Sequence, residues 1–177
     1  MLSKLKNRKN SSNNTVTEVY KTKLELLIED GMKVGEGCEI FPNVDFGSEP
    51  YLITIGNNVR ITDGVVFRNH DWGVWKLRKM KLLENADIFG KIEIGDNTHI
   101  GMNTFICPGV KIGKNCIIGV GSVVTKDIPD NSVAAGVPAK VIKTIDEYHN
   151  KHKHTCDFTK HMNYNEKKDY LYKKYDL

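Results

Sequence analysis

The chain has 177 residues, 40% hydrophobic and 27% charged, with a formal net charge of +4, ordinary values for a soluble globular protein with a sizeable core. The charge belongs to the ends: residues 1–10 carry +4, residues 150–177 carry +3, and the stretch between them carries −3. No basic stripe with interleaved aromatics crosses the body, which argues against a nucleic-acid partner.

The opening "MLSKLKNRKN" is basic but has no apolar run behind it, so it does not read as a secretory signal, and no window reaches the length of a membrane span. Cysteines 38, 107, 116 and 156 show no CxxC spacing, which points to a reducing, cytoplasmic setting. Residues 15–31 predict a helix. Thr15 or Thr17 would cap it, Val19, Leu24, Leu26 and Leu27 would form its apolar side, and Gly31 would end it. Residues 1–32 thus read as a basic arm and a helix preceding the main domain.

From Val34 the chain counts in sixes. Val34, Ile40 and Phe46 open the series; Ile55, Ile61 and Phe67 continue it; Ile88, Ile94, Ile100, Ile106, Ile112, Ile118 and Val124 complete it. Four positions after most of these comes a small or β-branched residue, as at Val59, Val65, Ile92, Thr98, Thr104, Val110, Cys116 and Ser122. Neither a helical nor a simple strand period produces this pattern. A six-residue period is the mark of a parallel β-helix, each hexapeptide making one short strand and one corner, three making a triangular turn. Residues eighteen apart should then stack, Ile94 on Ile112, Ile100 on Ile118 and Thr98 on Cys116. Cys38 and Cys116 fall at the small inward position and read as core fillers. Gly95, Gly101, Gly113 and Gly119 follow the aliphatic position, where they are expected to let the backbone bend.

The count breaks at "FRNHDWGVW" (67–75). The next aliphatic in phase after Phe67 is Ile88, so about fifteen residues (73–87) are expected to be extruded as a loop. Loops of that length in a compact domain are functional or disordered. This one carries Trp75, Leu77, Met80, Leu82 and Leu83 and must pack on the coil wall or on a neighbouring subunit. His70 stands at its base.

The pattern resembles the hexapeptide-repeat acyltransferases, whose fold is a left-handed parallel β-helix. The hand is implied by the resemblance alone, because parallel crossovers otherwise favour the right hand. The stretch "IGNNVRITDGVVFRNHD" is similar to sugar and capsular-polysaccharide O-acetyltransferases. "IGVGSVVTKDIPDNSVAAGVPAKVIK" (118–143) is similar to their acetyl-CoA segment, and galactoside and maltose acetyltransferases are more distant relatives. The match spans roughly residues 33–143.

The resemblance implies a homotrimer that transfers acetyl from acetyl-CoA to a sugar or glycan hydroxyl, with His70 as catalytic base. The chemistry agrees: a sugar hydroxyl is a weak acid, and a neutral imidazole can take its proton during attack. Asp45 is the acid chosen to orient His70, with Asn43 and Glu49 as rivals. By matched position, Met102 and Val120 would line the pantetheine arm. Thr125, Lys126, Lys140 and Lys143 would meet the phosphates, although the galactoside enzymes often have Arg for the last two, and Lys loses bidentate geometry. Asp71, Trp72 and Trp75 are candidate acceptor contacts; either tryptophan could instead anchor the loop. Cys107 reads as structural.

N-acetylation of an amino-sugar nucleotide would use the same parts and stays open. A hexapeptide carbonic anhydrase would need three His, and the coil holds only His70 and His99. A non-catalytic scaffold would not need His70 beside "VTKDIP". Past the coil, residues 144–177 predict a helix over 143–154 and a peripheral helix or loose tail over 165–177. The set His152, His154, Cys156 and His161 matches no zinc spacing, and no metal is expected.

Overall fold

Three ladders of very short parallel strands wind around one apolar axis in a computed structural model that describes residues 23–177. The first face carries β1 (Lys33–Val34), β3 (Ile53–Ile55), β6 (Ile92–Ile94) and β9 (Lys111–Ile112). The second carries β2 (Glu39–Ile40), β4 (Arg60–Ile61), β7 (His99–Ile100), β10 (Ile117–Ile118) and β12 (Ser132–Gly136). The third carries β5 (Val66–Phe67), β8 (Phe105–Ile106) and β11 (Val123–Val124). The expected stacks are present: Ile94 registers with Ile112, Ile100 with Ile118, and the Cys116 N–H donates to Thr98 Oγ1 at 3.1 Å. Val34, Ile40 and Phe46 begin the same columns, against Ile55, Ile61 and Phe67.

The inward aliphatics carry the stability. Ile61, Phe67, Ile100, Ile106, Ile112, Ile118 and Val124 are wholly buried, each worth roughly 1.5–3 kcal/mol relative to exposure. Two of the buried threonines donate to the neighbouring turn, Thr62 Oγ1 to the Ile100 carbonyl and Thr98 Oγ1 to the Gly113 carbonyl, both at 2.8 Å. Cys116 is buried, while Cys38 is only partly covered.

The glycines serve a different purpose from the one expected. Gly95, Gly101 and Gly113 do not have positive φ. A Cβ on Gly95 would instead stand 2.5 Å from the Lys114 nitrogen, and one on Gly113 2.6 Å from the Asp130 nitrogen. They let successive turns approach. The sharp bend is made by asparagine: Asn58, Asn97, Asn115 and Asn131 occupy one corner in the left-handed region, φ 53° to 58°, which Asn tolerates better than other side-chain-bearing residues. Their amides also link turns, Asn115 Nδ2 donating to Asn131 Oδ1 at 2.8 Å.

The extruded segment is longer than the sequence pattern suggested. Asn57 and Asp96, neighbours across adjacent turns, lie 39 residues apart, whereas later turns repeat at 18. The excess is therefore 21 residues, all between β5 and β6. Ile88 starts no rung; Phe67 already fills that place on the third face by pairing with Ile106, and Ile88 lies half exposed outside the coil. Its regular spacing before Ile94 had mimicked the period. The excursion leaves at one corner through an antiparallel neck in which His70 bridges Phe89, the Asp71 N–H donates to the Ile88 carbonyl and the Gly90 N–H to that of Asn69. Beyond the neck lies a short helix (Val74–Lys79), anchored by buried Val74. Arg78 Nη1 donates to the Ala86 carbonyl and to Asp87, both at 2.5 Å.

Residues 23–29 are helical, and the rest of the expected first helix lies outside the described residues. The coil ends on a strand the sequence had not suggested: β13 (Ala139–Thr144) runs antiparallel to β12. A second unit comprises Asp146–Leu177. Its helix Tyr164–Tyr175 starts at a capping box made by Asn163 and Glu166. Among the described residues no helix is long and apolar enough to cross a membrane.

These roles separate two kinds of corner residue. Gly95→Ala should cost about 1–3 kcal/mol or more through overpacking. Asn103→Gly, at φ 56°, should cost no more than about 1 kcal/mol, mainly through unfolded-state entropy. Urea melts of the two variants check the contrast; equal losses would contradict it.

Candidate active site

His70 is held where the coil wall turns into the neck of the insertion. Its Nδ1 lies 2.9 Å from Glu49 Oε2, and both side chains are mostly buried, 19% and 17% exposed. Trp72 Nε1 donates to the other ring nitrogen, Nε2. The indole N–H is a donor only, so Nε2 is the acceptor and Nδ1–H donates to Glu49.

Glu49 is itself positioned from two sides. Asn69, fully buried, donates from Nδ2 to the Glu49 carbonyl at 2.6 Å, and the Ser48 hydroxyl donates to Glu49 Oε2 at 3.0 Å. The short helical turn Pro50–Leu52 follows at once and fixes the segment.

Asp45, the acid expected on His70, does not reach it. Its Oδ2 accepts from Arg68 Nη1 at 2.9 Å and its Oδ1 from the Gly47 N–H at 2.9 Å. Side chains alternate along the extended backbone, so Asp45 and Arg68 share the outer wall, and Glu49 lies past the strand at the level of the neck. Burial pushes the Asp45 carboxyl up, but the Gly47 N–H and the Arg68 guanidinium outweigh it and hold the carboxyl below its ordinary range. Asn43 also lies elsewhere, its Nδ2 on Asp63 at 3.5 Å.

Two clefts meet at His70, Asp71 and Trp72. One, of about 440 Å³, runs along the coil and is completed by Arg68, Phe105, Cys107 and Pro108. The other, of about 420 Å³, opens under the insertion and is completed by Trp75, Arg78 and Asp87. Trp72 stands between them, its ring under the Arg68 guanidinium at 5.2 Å. Asp71 accepts from the Gly73 N–H at 2.6 Å and so shapes the turn into the Val74–Lys79 helix as well. Burial, then the Asp71 carboxylate, push the Cys107 thiol above its ordinary value; at neutral pH it is a protonated wall residue and not a nucleophile.

The residues matched to a donor segment fall at three places. Thr125 and Lys126 follow β11 on the same corner as His70: Arg68 N–H bonds the Ile106 carbonyl and Cys107 N–H the Val124 carbonyl, so positions 68, 107 and 125 stack. Met102 and Val120 are exposed on the preceding corner, tied by the Gly121 N–H to the Met102 carbonyl. Lys140 and Lys143 lie on β13, opposite Ala135 and Val133. Arg68, Asn69 and Phe105 were not anticipated. Arg68 and Asn69 sit directly before His70, and Phe105 shows only when the third face is stacked.

The family profile described as bacterial transferase hexapeptide (six repeats) matches residues 91–126. Protein CapG of Staphylococcus aureus is 53% identical over 148 residues, 82% of this chain and 84% of its own. The galactoside O-acetyltransferase of Escherichia coli is 42% identical over 111 residues, 62% of this chain and about half, 52%, of that enzyme. Among solved structures, a maltose O-acetyltransferase from Clostridium difficile 630 superimposes with a TM-score of 0.56 at 30% identity, covering 71% of this chain and 75% of its own. A galactoside acetyltransferase in complex with coenzyme A gives 0.52 at 31% identity, covering 76% and 84%.

The Asp45 environment yields a pH test. Because the folded carboxyl titrates below its unfolded value near 3.9, its contribution is present above that pH and is lost as pH falls through the folded value. Asp45→Asn should therefore be less stable than the parent at pH 7, and the gap should close as pH drops below about 4. Urea melts at pH 7, 4 and 3 check this; a gap that did not change with pH would exclude it.

Proposed function

The chain belongs to the hexapeptide-repeat transferase family and is an acyltransferase; from that premise we propose that it moves acetyl from acetyl-CoA to a hydroxyl of a sugar or glycan. The observation that carries this reading is His70, anchored through Nδ1 by Glu49, at the junction of two clefts. One cleft suits the thioester and the other the acceptor. Galactoside and maltose O-acetyltransferases among the relatives support a carbohydrate acceptor, and the coenzyme A complex of the former supports the donor.

His70 Nε2 takes the hydroxyl proton as the sugar oxygen attacks the thioester carbonyl carbon. Glu49 stabilises the imidazolium that forms and holds the tautomer. His70 then returns the proton to the departing thiolate sulfur, so no covalent enzyme intermediate forms. Phe105, Cys107 and Pro108 give the coil-side cleft an apolar wall for the thioester arm. Asp71, Trp72 and Trp75 line the acceptor side, where aromatic faces suit the C–H face of a pyranose.

The placement of the donor-segment residues supports a homotrimer, and the family supports a left-handed coil. Met102 and Val120 on one corner, and Thr125 and Lys126 on the next, converge only if the corner of one subunit faces that of another. Three-fold closure suits a triangular prism. Lys126, Lys140 and Lys143 supply charge for the phosphates. The catalytic domain is residues 33–143.

His70→Ala should lower kcat by roughly 10²–10⁴-fold with acetyl-CoA affinity retained, and Glu49→Gln should lose part of that factor. Both can be read by thiol release with a panel of galactosides and glucosides. A folded His70→Ala enzyme turning over at the parental rate would remove the base. Light scattering should give three times the 20.1 kDa chain mass; a monomer at micromolar concentration would contradict the assembly.

A further inference from the structure

The nitrogen that must accept the acceptor's proton already has a donor. Trp72 Nε1–H bonds His70 Nε2, and a neutral imidazole has one lone pair there. The indole is otherwise 67% exposed, and what holds its outer face is Arg68, stacked at 5.2 Å and fixed by its own pair with Asp45. Trp72 also forms the partition between the coil-side and insertion-side clefts. An exposed tryptophan held by a salt-bridged arginine over a base nitrogen is not required by the fold, since the buried anchor of the insertion is Val74.

We propose that Trp72 is a specificity-determining residue that reserves the base for a carbohydrate hydroxyl and denies it to water; this rests on the reading of His70 as the base. To reach Nε2, a competitor must break the indole hydrogen bond and disturb the Arg68 contact. A water molecule returns one hydrogen bond and nothing more. A pyranose returns that hydrogen bond through its hydroxyl and offers its C–H face to the displaced indole. The acceptor therefore opens the site and solvent does not. This matters because hydrolysis needs the same base. Water would give a proton to Nε2 while its oxygen bonds the acetyl carbon, the C–S bond would break, and the thiolate would take the proton back, leaving acetate and CoA.

The closure can be tested without knowing the acceptor. Trp72→Phe keeps an aromatic ring beside Arg68 while removing the N–H and part of the ring area. Diethyl pyrocarbonate, which acylates neutral imidazole, should label His70 about two- to tenfold faster in this variant, the equivalent of one net hydrogen bond. Peptide mass mapping reads the rate, and Trp72→Ala should label at least as fast. With acetyl-CoA and no acceptor, thiol release should rise by a similar factor in Trp72→Phe, and the rise should vanish in Trp72→Phe/His70→Ala. Unchanged labelling in both single variants would overturn the lock. Faster labelling with unchanged thiol release would overturn its role against water. If the extra thiol release survived in the double variant, the assignment of His70 as base would fail, independently of whether Trp72 covers it.

Discussion

Everything in the coil depends on how closely one turn of backbone lies on the next. Parallel ladders set turns roughly 4.8 Å apart, and at Gly95 and Gly113 there is no room for even a methyl group. The register is therefore rigid: Ile94 must sit on Ile112 and Ile100 on Ile118, because a slip would drive a side chain into the adjoining backbone. Extra residues cannot be absorbed within a face. They can only leave at a corner and return to it, and the segment between β5 and β6 does this through a neck closed by the His70–Phe89 bridge.

That constraint explains why the chemistry gathers there. A residue in the middle of a face points into the core or flatly outward, and neither gives a cleft. At the neck, His70 has its backbone tied to Phe89 and its ring tied to Glu49, while the insertion raises a second wall beside it. Rigidity comes from the coil and concavity from the excursion. Buried Asn69 joins the two by holding the Glu49 backbone from the residue just before His70.

The repeat was legible because burial imposes it: each inward aliphatic is required at its sixth position, and neither a helical nor a simple strand period sustains that spacing. His70 was legible as the polar residue at the break. Ile88 was misread, since an aliphatic that lies six before Ile94 looks like a rung when position alone is counted. Only pairing shows that Phe67 already occupies the place. The choice of Asp45 over Glu49 failed for a related reason. Sequence separation ranks both acids as one turn away, but it does not show that Arg68 captures Asp45 or that the turn at Pro50–Leu52 brings Glu49 under the ring. Strand β13 escaped notice because it leaves the hexapeptide period and pairs antiparallel across a two-residue turn.

The Arg68–Asp45 pair, which displaced the expected dyad, has its own bearing on the site. An unpaired guanidinium on the wall of a cleft would be free to swing, whereas a paired one is held in a fixed geometry. Asp45 pairs with Arg68 at 2.9 Å, while the Gly47 N–H helps keep the carboxylate ionised and in place. Arg68 can then serve as a flat support for Trp72 and Phe105 without charging the cleft. Glu49 is left as the carboxylate paired with His70. The acid that seemed the natural partner of the histidine thus acts one residue removed, by fixing the guanidinium on which the Trp72 ring rests.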